Sequence, residues 1–135
     1  MAYMEWDPDY GTGVGQIDEH HKHLVKLLNT AYEALTGGNR RERTVAIVDE
    51  LVEYATYHFA TEEHLMGALP EQEKKHHVNE HRAFSKRVVE FRDQMTRGET
   101  AITTTVLAFL GDWLTHHILH VDKKLGRHLV AAGMS

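Results

Sequence analysis

The stretch HFATEEH, residues 58–64, places two histidines and two glutamates within about two turns of a helix whose other turns carry apolar residues. His58 and Glu62 are four residues apart and therefore project from one helix face. Leu51 and Ala55 continue that face toward the N-terminus. The pattern predicts an inward-facing helix whose buried face ends in imidazole and carboxylate groups.

Three further segments repeat apolar residues every three or four positions, which is the helical period, and hairpin signals are missing. The predicted helices run from an N-cap at Asp18 to Gly37 and Gly38, from about Arg41 to Ala68, from Glu71 to about Thr96 before Gly98, and from about Glu99 to Val130. Short connections predict an all-α fold: an antiparallel up-down-up-down four-helix bundle, residues 18–130, with an extended N-terminal arm, residues 1–17. A chain of 135 residues is expected to form a single domain, residues 1–135.

Each predicted inward face contains at least one histidine. In chain order the four faces comprise Ile17, His21, Leu24, Leu28, Ala31 and Leu35; Val48, Leu51, Ala55, His58, Glu62 and Leu65 or Met66; His77, His81, Phe84, Val88, Phe91 and Met95; and Val106, Leu110, Leu114, His117, Val121 and Leu125. Buried imidazoles and carboxylates need hydrogen bonds, ion pairs or a metal. One such histidine would suggest a hydrogen-bonded core residue, but the repetition on four helices favours a metal site.

Adjacent histidines point about 100° apart on a helix, so one of each pair faces the axis. The face through His77 and His81 continues into Phe84, whereas the face through His76 meets charged residues, and His117 is preferred over His116 for the same reason. The remaining histidines are predicted to be solvated or hydrogen-bonded at the surface: His20, His23, His64, His76, His116, His120 and His128. Of these, His116 and His120 are spaced for an adventitious surface metal site.

The spacing of His117 and Asp122 does not fit a regular helix. They are five residues apart, which corresponds to about 140° of rotation. Either the helix has a wide turn between Thr115 and Asp122, such as a π-bulge, or the two side chains approach a metal from different directions.

Composition excludes several classes of function. The net charge of −5, from 15 basic and 20 acidic side chains, argues against nucleic acid as a partner. The absence of cysteine excludes disulfides, thiolate metal sites and iron–sulfur clusters. The sequence opens without a basic, apolar leader and contains no apolar run of membrane-spanning length, so we expect a cytoplasmic protein without membrane insertion.

The ordered segments IDEHHKHL (17–24), HFATEE (58–63), HVNEHRAF (77–84) and WLTHHILHVD (113–122) resemble those of the bacterial hemerythrins. The resemblance implies two iron ions in a non-haem di-iron centre, joined by an oxygen bridge. His77, His81 and His117 would bind one iron, His21 and His58 the other, and Glu62 and Asp122 would bridge them. Where the family often has glutamine before its first ligand, this chain has His20, but the apolar face favours His21 as the ligand.

The resemblance further implies reversible binding of dioxygen at the open position of the iron with two histidines. The expected function is a carrier, store or delivery protein rather than an enzyme, with a dry lining from Leu28, Trp113 and Leu114. We expect a monomer, and a membrane oxygenase or oxidase is a candidate recipient of the oxygen. The alternatives are a di-iron enzyme or detoxifying protein acting on nitric oxide or peroxide, a sensor of oxygen or iron, and a metal-free structural bundle. Zinc is chemically compatible with the same donors.

Overall fold

The computed structural model describes residues 4–36, 41–97 and 104–135. Within these ranges, the side chains of a few helix-end residues, including the predicted core positions Leu35 and Val106, lie outside the description. The predicted helix-ending glycines Gly37, Gly38 and Gly98, and the predicted start of the last helix at Glu99, also lie outside the described residues.

The architecture is an all-α four-helix bundle, as predicted. Its helices are α1 (Gly15–Thr36), α2 (Arg41–His64), α3 (Glu71–Thr96) and a last, composite helix. That last helix consists of α4 (Thr104–His117), a π-helical segment (Ile118–Asp122) and α5 (Lys123–Ala131). None of the helices in the described part of the chain combines the length and apolarity needed to cross a lipid bilayer.

The bundle closes around the apolar faces that the helical period predicts. α1 packs against α2 and α4, and α2 packs against α3. The rings of Phe84 on α3 and Trp113 on α4 stack with centroids 3.9 Å apart and join the remaining pair of helices. Leu28, Leu51 and Leu110 are among the buried residues that form the main core. Phe91, predicted to face inward, is only half-buried.

Two helix ends differ from the sequence-based expectation. α1 begins at Gly15 rather than after an N-cap at Asp18, because Asp18 Oδ1 accepts hydrogen bonds from the backbone N–H and the hydroxyl of Thr12, both at 2.8 Å. α2 ends at His64, and the chain continues into a short 3₁₀ turn, Met66–Ala68, ahead of Pro70. Of the two alternatives left open at the end of this face, Met66 is the fully buried one.

The N-terminal arm is held against the bundle by contacts near its start and near its end. Near its start, the backbone N–H of Met4 donates to the Asn29 side-chain carbonyl and the Asn29 amide donates back to the Met4 carbonyl, both at 2.7 Å. Near its end, Thr12 crosses α5 at Gly126, where an added Cβ would lie 2.9 Å from the Thr12 carbonyl carbon and closer still to its oxygen. The arm therefore requires glycine at position 126.

Candidate metal centre

The structure brings all seven predicted ligands into the interior of the bundle. Each is at most 2% exposed: His21, His58, Glu62, His77, His81, His117 and Asp122. His21 comes from α1, the pair His58 and Glu62 from α2, and the pair His77 and His81 from α3. His117 ends α4 and Asp122 ends the π-helical segment. The inward registers chosen for the adjacent histidines are confirmed, since His76 and His116 are exposed.

The donor atoms form two groups that share the two carboxylates. One group contains Glu62, His77, His81, His117 and Asp122, and the other contains His21, His58, Glu62 and Asp122. Within each group, one donor atom from every residue lies within 4.8 Å of the others. Glu62 Oε1 lies 3.0 Å from His81 Nε2, while Glu62 Oε2 lies 3.1 Å from His58 Nε2. The two oxygens of Glu62 thus face different groups.

Asp122 spans the two groups in the same way. Its Oδ2 lies 2.8 Å from His21 Nε2, and its Oδ1 lies 2.9 Å from His77 Nε2 and 3.1 Å from His117 Nε2. A carboxylate with one oxygen toward each group can bridge two cations.

The polar atoms of the cluster are poorly satisfied by one another, which is the observation that fits a metal. Eight buried atoms face the centre or lie beside it without a hydrogen bond of acceptable geometry: His21 Nδ1 and Nε2, His58 Nε2, His77 Nε2, and both oxygens of Glu62 and of Asp122. Buried polar atoms are rarely left without partners in proteins. Nitrogen and oxygen donors that converge in this way are suited to a divalent cation of the iron or zinc type.

Three of the histidines are held from outside by their second ring nitrogen. The Nδ1 of His81 lies 3.0 Å from Glu63 Oε2, and the Nδ1 of His117 lies 2.9 Å from Glu80 Oε1. The Nδ1 of His58 lies 2.9 Å from the Nδ1 of His20. Such outer contacts fix the ring orientation and leave the Nε2 lone pair for a metal.

These outer residues were missed or misplaced by the sequence analysis. His20 was expected at the surface, but it is only 8% exposed because Tyr54 and Tyr57 of α2 pack against its ring. Glu63 and Glu80 directly follow or precede a predicted ligand, Glu62 or His81, and that adjacency was the available signal. The other histidines expected at the surface are exposed or half-buried: His23, His64, His76, His116, His120 and His128.

The π-helical segment explains the five-residue spacing of His117 and Asp122. The predicted wide turn between Thr115 and Asp122 is confirmed at Ile118–Asp122. In a π-helix the backbone hydrogen bonds connect residues five apart, so side chains at this spacing lie above one another. Asp122 therefore faces the same centre as His117.

The cluster shifts the ionisation of its own members. Burial alone would lower the pKa of His21, but the Asp122 and Glu62 carboxylates outweigh it and raise that pKa to about 9. Burial would likewise lower the pKa of His117, but Asp122 and Glu80 raise it to about 10. Burial would raise the pKa of both carboxyls, yet the facing histidines hold the pKa of Glu62 and of Asp122 well below the usual range. Without a metal, protonated imidazoles thus compensate the two buried carboxylates.

A small apolar cavity of about 20 Å³ lies one helical turn from the cluster. Its walls are entirely apolar and comprise Leu24, Leu28, Leu51, Ala55, Phe59, Phe84, Leu110, Trp113 and Leu114. All three residues named for a dry lining, Leu28, Trp113 and Leu114, are among them. Phe59 stacks on the His81 ring at 4.0 Å and Trp113 stacks on the His117 ring at 4.5 Å, measured between centroids. The aromatic rings therefore separate part of the cluster from solvent.

A four-helix bundle that buries five histidines and two carboxylates in two adjoining groups is a metal-binding bundle. The sequence matches the hemerythrin HHE cation-binding domain over residues 12–129. The chain belongs to the hemerythrin family.

Curated relatives and solved structures agree with this assignment. The bacteriohemerythrin of Pseudomonas paraeruginosa is 34% identical over 122 residues, which cover 90% of this chain and 78% of the relative. The bacteriohemerythrin of Methylococcus capsulatus is 31% identical over 132 residues, which cover 97% of this chain and 100% of the relative. A crystal structure of wild-type hemerythrin superimposes with a TM-score of 0.87 at 30% identity, covering 95% of this chain and 98% of that one.

Proposed function

We propose that this protein binds dioxygen reversibly at a non-haem di-iron centre, as a carrier, store or delivery protein. The observation that carries the proposal is the pairing of a buried histidine–carboxylate cluster with an adjacent, wholly apolar cavity. Membership of the hemerythrin family and the similarity to bacteriohemerythrins support the same conclusion. A di-iron centre supplies two electrons that can pass to dioxygen and return.

His77, His81 and His117 would hold one iron, and His21 and His58 the other. Glu62 and Asp122 would bridge the two irons, since each carboxylate directs one oxygen toward one group and its other oxygen toward the other group. The grouping is unequal, with three histidines in one set and two in the other. The two-histidine side therefore leaves more room for an exogenous ligand.

The apolar cavity beside the cluster favours binding over turnover. No side chain lining the apolar cavity carries an ionisable group. Reductive chemistry on nitric oxide or peroxide needs a positioned proton donor, which apolar walls do not provide. A water-excluding environment also slows proton-driven loss of a reduced oxygen species.

Anaerobic loading with ferrous iron, followed by cycles of air and vacuum, tests the proposal. The expected result is two irons per chain and a visible absorption band that appears in air and fades on degassing over repeated cycles. A matched variant, Leu28→Asn, places an amide in the cavity wall and should shorten the lifetime of the band without changing the iron content.

Two results would contradict the proposal. Iron content near zero after loading would exclude the di-iron centre. Rapid, irreversible loss of the band in the unaltered protein, with consumption of nitric oxide or peroxide, would assign the centre to an enzyme instead.

A further inference from the structure

We propose that His20 is a positioning residue that fixes the proton and the ring orientation of His58, so that His58 presents Nε2 to the metal. The proposal rests on the proposed function in one respect, namely that His58 binds a metal. It extends the site to a residue of α1 that the expected ligand set does not include.

The contact between the two rings joins like atoms. His20 Nδ1 and His58 Nδ1 are 2.9 Å apart, and the rings meet edge-on at 71° with centroids 5.1 Å apart. A hydrogen bond between two ring nitrogens needs a proton on one of them and a lone pair on the other. The distance alone leaves the direction of donation open.

Metal binding by His58 would set that direction. His58 Nε2 points toward Glu62 Oε2 at 3.1 Å and is among the buried atoms without a hydrogen-bond partner. A neutral imidazole that binds a metal through Nε2 carries its proton on Nδ1. With a metal on Nε2, His58 Nδ1 would therefore donate to His20 Nδ1, and His20 would carry its own proton on Nε2.

The packing around His20 holds the acceptor in place. Its ring contacts those of Tyr54 and Tyr57, with centroids 5.7 and 5.2 Å away, and His23 packs on Tyr54 from the next turn of α1. His20 is also next to the ligand His21 in the chain, so α1 places both side chains. A movement of α1 would therefore displace His21 and the His20 ring that contacts His58 together.

His20 also makes the two metal subsites chemically different. The three-histidine group has carboxylates, Glu63 and Glu80, behind two of its imidazoles. The two-histidine group has a neutral imidazole behind His58. A carboxylate partner increases the electron donation of an imidazole to its metal more than a neutral partner does. Of His58, His81 and His117, His58 is thus the weakest electron donor to its metal.

Binding of Co²⁺ to the full chain, in competition with a chelator, tests the role of His20 independently of dioxygen. His20→Leu should weaken one of the two bound Co²⁺ ions by about 10- to 100-fold and leave the other unchanged, because outer partners of metal-bound histidines contribute to affinity on that scale. His20→Gln, which restores a neutral acceptor, should return that ion to within about threefold of the wild-type affinity. Glu80→Gln should instead weaken the other ion.

Proton NMR of the Co²⁺-loaded protein supplies a second readout. The His58 Nδ1–H should give a paramagnetically shifted, solvent-exchangeable resonance that exchanges faster in His20→Leu and normally in His20→Gln. His23→Leu is the matched control, since it removes a histidine from the same helix and the same tyrosine cluster without touching His58. Thermal unfolding of the metal-free variants checks that each is folded.

The outcomes separate this proposal from the function on which it rests. Two Co²⁺ ions bound with wild-type affinity by His20→Leu, with an unchanged exchangeable resonance, would overturn the positioning role and leave the metal centre intact. Failure of the unaltered protein to bind Co²⁺ would overturn both.

Discussion

At the scale of single residues, two adjacent glutamates of α2 have different environments. Glu62 is fully buried and belongs to both donor groups, whereas Glu63 is partly exposed and contacts the outer nitrogen of His81. The helical rotation of about 100° per residue produces this difference. The two positions therefore provide a matched pair for measuring what the proposed bridging carboxylate contributes.

We expect Glu62→Gln to abolish tight binding of both metal ions, because the amide removes the charge and directs N–H donors at imidazole nitrogens. The loss should exceed the roughly 10- to 100-fold effect typical of an outer partner. Glu63→Gln keeps a carbonyl acceptor for His81, so its loss of metal affinity should fall within that range of about 10- to 100-fold. Metal content after dialysis against a chelator measures both variants. Two ions retained by Glu62→Gln would remove Glu62 from the bridge.

The sequence predicts the orientation of single side chains well where they lie on an inward apolar face. His77 and His81 could be chosen over His76 because Phe84 and Val88 continue their face. The three outer partners, His20, Glu63 and Glu80, lie outside these inward faces, and their contacts join one helix to another. Periodicity within one helix carries no information about the distance to a neighbouring helix.

At the scale of elements, the period of the apolar residues predicts four helices, and the His117–Asp122 spacing predicts the irregular turn. Two helix ends were less predictable. The start of α1 at Gly15 depends on hydrogen bonds from Thr12 to Asp18, and the end of α2 depends on the turn before Pro70. The first depends on a side-chain contact and the second on a backbone turn, and a propensity rule describes neither.

The crossing of the arm over α5 gives a prediction at this scale. Gly126→Ala should lower the free energy of unfolding by about 1–3 kcal/mol, because the new methyl group overlaps the Thr12 backbone. Gly15→Ala is the control, since a Cβ there meets nothing within 4 Å. Urea unfolding of the two variants should differ by that amount. Equal stability of the two would show that the arm shifts away freely.

At the scale of the whole molecule, the metal-free protein should be most stable in mildly acidic solution. His21 and His117 have a raised pKa, about 9 and about 10, so their contribution is complete below the ordinary histidine value of 6.5 and is lost as the pH rises through 9 to 10. Glu62 and Asp122 have a lowered pKa, so their contribution is present above their ordinary values of 4.5 and 3.8 and is lost as the pH falls through the lowered pKa.

In the presence of a chelator, the free energy of unfolding measured in urea should therefore be greatest between about pH 4.5 and 6.5 and should decline toward pH 10. The metal-loaded protein should instead become more stable as the pH rises, because metal binding requires neutral imidazoles and displaces their protons. The two curves should diverge steadily above pH 7. A metal-free protein that gains stability from pH 7 to pH 10 would contradict the raised histidine pKa values.

The π-helical segment has a consequence for everything that follows it in the chain. In a regular α-helix of the same sequence, the residues after this segment would be rotated by about 100°, because the wide turn takes up one more residue than an α-helical turn does. The wide turn that directs Asp122 inward therefore also sets the rotation of α5, which places Gly126 beneath Thr12 and packs Leu125 and Leu129 into a second cluster of buried apolar residues, separate from the main core. If Ile118–Asp122 formed a regular α-helix instead, Asp122 and the residues of α5 would be rotated away together, so metal coordination and arm docking depend on the same wide turn.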